Sequence, residues 1–180
     1  MRDFLTKPWV IAFLFYFGLL SLLRWQLNWS LLFLWLGGVV GIGFSWADRL
    51  AHVYFTRPFE QLSLQVKSLV TQKRYREAVL LLEHRKDEQR HLTVRSVLFL
   101  AVWVVAAFFV ISSTGSIFAV GMVMAIGMSV LVDMLADWHN LEKLKWWLFW
   151  QIKRTFSDKE TKGVVIGFAG LFGLLSLMVI

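Results

Sequence analysis

Residues 117–135, IFAVGMVMAIGMSVLVDML, run from Ile117 to Val132 without a charge and then place a carboxylate, Asp133, before the apolar stretch has ended. As a helix the 19 residues would rise about 28 Å, close to the hydrocarbon thickness of a bilayer. The stretch reads as a membrane-crossing helix. Asp133 reads as a group that needs a partner, water or an ion, because a bare carboxylate in an apolar phase is costly.

Four similar blocks accompany it, so the predicted spans cover about 9–24, 29–47, 97–111, 117–135 and 163–180. Only a tight antiparallel turn fits between the first two. Ser112-Ser113-Thr114-Gly115-Ser116 makes a compact, uncharged turn between the third and fourth. Of the 180 residues, 58% are hydrophobic and 17% charged, with a mean hydropathy of +0.62, which is more apolar than one soluble core uses. The expected fold class is all-α: a polytopic membrane helical bundle of about five transmembrane helices, one membrane domain over 1–180, with amphipathic helices on the cytoplasmic side. Disordered and collagen-like classes are excluded. The absence of cysteine removes a disulfide framework, a thiolate nucleophile and a thiolate metal site.

The net charge of +7 would suggest nucleic acid only if the basic residues formed one face of a soluble domain. Instead nine Lys/Arg lie between Asp48 and Arg90 and six between Ala136 and Lys162, leaving only Arg2, Lys7, Arg24 and Arg95 elsewhere. The positive-inside rule then places the N-terminus and both long polar segments inside and the C-terminus outside. This predicts an integral protein of a bacterial inner membrane, in contact with lipids, with nucleic acid not a partner. The first apolar run lacks a small-x-small cleavage site before Arg24, so it reads as a retained span. Trp9, Trp25, Trp29, Trp46, Trp138, Trp146, Trp147 and Trp150 fall near predicted span ends, where an amphipathic ring suits the headgroup layer.

The polar segment 48–93 reads as a cytoplasmic helical loop. Leu62, Val66, Leu69 and Val70, then Tyr75, Val79 and Leu82, have helical spacing and suggest two short helices broken near Thr71-Gln72. The segment 136–162 reads as cytoplasmic or interfacial, with Trp146–Trp150 ahead of Lys153-Arg154 resembling a helix in the headgroup plane. Glycines mark close helix approach: Gly37, Gly38, Gly41 and Gly43 in span two, and Gly163, Gly167, Gly170 and Gly173 near one face of span five. Packing within the chain is the expected use of both faces, with a homo-oligomer seam or a partner protein as the alternatives. No internal repeat is apparent.

The polar residues that could carry chemistry gather at the predicted inner ends of the spans. Asp48 and His52 are one helical turn apart, as are Asp133 and Asp137, so each pair can share a face. With His139 these make the candidate metal set Asp48, His52, Asp133, Asp137 and His139, which could hold a divalent metal and activate a water. The candidate catalytic residues are Asp133, His84, His91 and Arg95, the last as a carboxylate or phosphate clamp. None of the spacings is a strong metal motif. The alternative is that Asp48 and Asp133 pair with Arg49, Arg95 or a lysine at the inner rim. Ser129 is expected to be a packing hydroxyl.

An order of features resembles the family of metal-dependent inner-membrane hydrolases that includes the LexA-binding membrane hydrolase-like group. These are Asp48 at the end of an early span, His84-Arg85, Ser96-Val97-Leu98-Phe99, the Gly127–Asp133 stretch and the Trp146–Trp150 segment. The resemblance covers roughly 37–151 and implies membrane-embedded metal hydrolysis. The family pattern has histidine before the span-three serine and four residues before the span-four aspartate. This chain has Arg95 and Ser129 there, and Lys86-Asp87-Glu88 follows His84-Arg85 in place of a Gly-Leu-Thr-His-like sequence.

Three functions follow as expectations. The leading one is a noncatalytic assembly, scaffold or regulatory subunit, a homo-oligomer or the partner of another membrane protein. The second is a metal-dependent hydrolase acting on a lipid or phosphoester at the cytoplasmic face. The third is an oligomeric transporter or channel.

Overall fold

The computed structural model describes residues 8–24, 28–85, 92–113 and 115–180. The helices are α1 (Pro8–Arg24), α2 (Trp29–Ala51), α3 (Gln61–Thr71), α4 (Tyr75–His84), α5 (Val97–Ser113), α6 (Ile117–Ala136), α7 (Leu141–Leu148) and α8 (Asp158–Val179). A π-helical turn, His52–Thr56, continues α2. Among the described residues three helices are long and apolar enough to cross a membrane: α2 with its continuation to Thr56, α6 and α8. The other two apolar helices, α1 and α5, have 17 residues each.

Most of α6 is buried along Val120–Val130, so it is the central helix around which the others pack. Its contact with α2 is backbone against backbone. A methyl group on Gly37 would lie 2.0 Å from the Phe118 carbonyl oxygen, and one on Gly41 2.3 Å from that of Met122. The partner numbers rise together, so α2 and α6 run parallel. The seam is also reciprocal. Gly37 faces the Phe118 oxygen and the Met122 nitrogen, while Gly121 faces the Leu34 oxygen and the Gly38 nitrogen, so each glycine meets the residue three before and the residue one after its counterpart. In an apolar phase such surfaces gain dispersion contact that a side chain would block.

Hydroxyls and indoles tie the other helices on. Ser21 donates to the Phe17 carbonyl at 2.7 Å and accepts from Trp35 Nε1 at 3.0 Å, joining α1 to α2. Ser176 donates to the Phe172 carbonyl at 2.7 Å, so in its 2.9 Å bond with Tyr16 the phenol is the donor, and α8 is joined to α1. Trp103 of α5 is buried, donates to the Val123 carbonyl at 2.9 Å and fills the space left by Gly127. Each bond satisfies a polar group that lipid cannot.

Span five differs from expectation in how its glycines are used. Nothing lies within 4 Å of a methyl group built on Gly163, Gly167, Gly170 or Gly173. The buried face of α8 is instead Val165, Phe168, Phe172, Leu175 and Val179. The helix also begins at Asp158, five residues before the apolar block, because Ser157 and Glu160 form a reciprocal capping box.

The segment after α2 has a small core of its own. Leu62 and Val66 of α3 and Ala78 and Leu82 of α4 pack on Val53 of the π-turn. The break between the two helices passes through Lys73, whose φ is 59°.

Candidate functional site

The α2/α6 seam changes character along its length. On α2 the residues facing α6 follow the i, i+4 series Gly37, Gly41, Ser45, Arg49; on α6 the matching series is Gly121, Ala125, Ser129, Asp133. The glycines close the seam. One further turn along, Ser45 and Ser129 meet at 2.8 Å. Ser129 already donates to the Ile126 carbonyl at 2.8 Å, so Ser45 supplies the proton between them. Ser129 is thus a helix-packing hydroxyl, as its sequence position suggests.

Beyond the serines the helices part around a cavity of about 320 Å³. Trp9, Ile42, Met128 and Val132 form its apolar wall, and Ser45, Ser129, Arg49 and Asp133 its polar side. The end of α4 also reaches this cavity and contributes Glu83 and His84 to its lining.

The charged groups around this cavity are mostly struts. Arg95, only 7% exposed, places Nε 3.1 Å from Asp133 Oδ2 and its guanidinium 4.7 Å from the centre of the Trp147 ring. The Nε–H is not aligned for a hydrogen bond, so the Asp133 contact is an ion pair without one. Asp48 Oδ2 accepts the Val94 backbone N–H at 2.9 Å and so anchors the strand of chain that leads into α5. Asp137 accepts from Trp147 Nε1 at 3.0 Å and pairs with Lys143 at 3.0 Å, fixing α7 against the end of α6. Arg49 lies 4.8 Å from the centre of the Trp46 ring. Trp147 therefore departs from its expected place in the headgroup layer: it is buried and central to this network.

The candidate metal set is dispersed by these partnerships. Asp133 turns to Arg95, Asp48 to a backbone amide and Asp137 to Lys143 and Trp147. His52 is buried on the π-turn, with Nε2 3.5 Å from Glu60 and no hydrogen bond to either ring nitrogen. His139 is exposed beyond α6. His84 is exposed, with Nδ1 3.1 Å from its own Leu80 carbonyl. Among the described residues no three His, Asp or Glu side chains are grouped so as to share an ion. His91 lies outside the described residues.

The sequence points to Asp133 and Arg95, which the structure joins, but not to Ser45 or Glu83. Ser45 was findable: it continues the Gly37, Gly41 series by four and precedes Arg49 by four. Glu83 carries no such signal, since only the return of α4 brings it to the cavity. No protein-family model matches this chain, and neither does any curated protein or solved structure.

Proposed function

We propose that this chain is a noncatalytic subunit of a membrane assembly, crossing the membrane five times with the N-terminus and both long polar segments in the cytoplasm, and docking a further membrane helix on the glycine face of α8. The observation that carries the reading is the open space over Gly163, Gly167, Gly170 and Gly173. On α2 the same residue type is consumed by backbone contact with α6, whereas on α8 the smooth face turns away from the chain's own helices. Small residues let a second helix approach closely where lipid offers no hydrophobic driving force. The partnering of Asp48, Asp133 and Asp137 within the chain adds support, because each carboxylate turns to a different partner. The five-span count rests on α1 and α5, whose 17 residues lie at the short end of the membrane-crossing range, and the orientation rests on the segregation of Lys and Arg.

The natural chain has no cysteine, so single-cysteine crosslinking in native membranes reports one position at a time. Gly167→Cys and Gly170→Cys are expected to give oxidant-dependent bands of a second copy or of a partner, while Phe15→Cys, on the exposed face of α1, gives none. If Gly167→Leu and Gly170→Leu leave every assembly band unchanged, the α8 seam is wrong.

A further inference from the structure

We infer that the cavity between α2 and α6 is a headgroup site for a zwitterionic aminophospholipid, its phosphate held at Arg49 and its ammonium at the carboxylate side. Charge balance favours such a head. Arg49 stands over the Trp46 ring and shares the polar side of the cavity with Asp133, already paired with Arg95 at 3.1 Å, while the end of α4 adds Glu83 to the lining. A small space lined by both a guanidinium and carboxylates repels an ion of either sign at part of its lining. It suits a head that carries both charges.

Polarity points the same way. The cavity grades from the apolar Ile42, Met128 and Val132 to the hydrogen-bonded Ser45 and Ser129 and then to the charged rim, the gradient that a lipid presents from glycerol to headgroup. Its volume, about 320 Å³, is at the small end of small-molecule sites, so it takes a head and its glycerol while the acyl chains stay in the bilayer. Arg is the suitable cation here, since its planar fork matches phosphate oxygens and stacks on an indole.

The test is native mass spectrometry of the full chain released from detergent carrying equimolar phosphatidylethanolamine, phosphatidylcholine and phosphatidylglycerol, with free O-phosphoethanolamine in a separate arm. Retention of phosphatidylethanolamine about tenfold above the other two is expected, because N-methylation removes the ammonium donors and glycerol removes the positive charge. Arg49→Gln and the cavity-filling Val132→Phe should each abolish that preference, and Arg49→Lys should keep part of it. Equal retention of the three lipids by the wild-type chain overturns the site, and that readout does not depend on any variant folding. Binding of O-phosphoethanolamine as tight as that of the lipid overturns the membrane source and leaves a soluble phosphate site. A preference unchanged in a folded Arg49→Gln chain removes Arg49 from it.

Discussion

Changing Asp133 to Asn removes the charge facing Arg95 while keeping the side chain's size, and the structure indicates what that costs. Arg95 is 7% exposed and its Nε lies 3.1 Å from Asp133. Neutralising the carboxylate strands a guanidinium in the protein interior. We expect a loss of about 3 kcal/mol, the low end for breaking a buried ion pair, because Asp133 retains 23% side-chain exposure and the contact lacks an aligned hydrogen bond. Arg95→Met should cost about 2 kcal/mol, from the unpaired carboxylate and the lost cation–π contact with Trp147. In the double variant Asp133→Asn/Arg95→Met both members of the pair are neutral, and the total should fall to about 1 kcal/mol. The coupling between the two sites is then about 4 kcal/mol. Reversible unfolding by sodium dodecyl sulfate in mild-detergent micelles, followed by far-ultraviolet circular dichroism, measures all four corners of the cycle. Additive single-variant losses would refute the strut, and tightly bound divalent metal lost in a folded Asp133→Asn chain would reassign Asp133 as a ligand.

Three further outcomes are expected. Gly37→Ala should destabilise by about 1–3 kcal/mol, the usual cost of overpacking, because the added methyl meets the Phe118 oxygen at 2.0 Å, whereas Gly167→Ala, with open space around it, should leave stability unchanged or raise it; equal stabilities in the same unfolding assay would contradict the backbone seam. Asp48→Ala leaves the Val94 amide without its acceptor, so hydrogen exchange at Val94 should accelerate with a stability loss of about 1–3 kcal/mol, and unchanged protection there would disprove the anchor. Ser157→Ala removes the capping box of α8 and should cost about 1 kcal/mol, read as faster exchange confined to the first turn of the helix.

The aspartates show how far local pattern reaches. Asp133 was identifiable as a group in need of a partner because it ends a run that otherwise has no charge, and Arg49, Arg95 and lysine were all admissible partners by charge and position. The choice of Arg95 depends on where the chain before α5 crosses the end of α6, and Asp48, which anchors that chain through Val94, takes part in making it. The tryptophans carry a similar lesson. Trp147 looks like Trp146 in the sequence, yet one is 4% exposed and bonded to Asp137 while the other is 41% exposed, because adjacent residues on α7 point about 100° apart.

Apolar run length alone determined that this chain is helical and that several of its helices match a membrane, since a backbone in lipid must satisfy its hydrogen bonds within its own segment. Glycine spacing marked which helix faces are smooth. Only the tertiary structure decided that the face on α2 is filled by α6 while the face on α8 is open, and that Arg49, Asp133 and Glu83 share one cavity. Those outcomes depend on how separate helices cross and on the return of α4, and spacing within one helix carries no information about which helix it will meet.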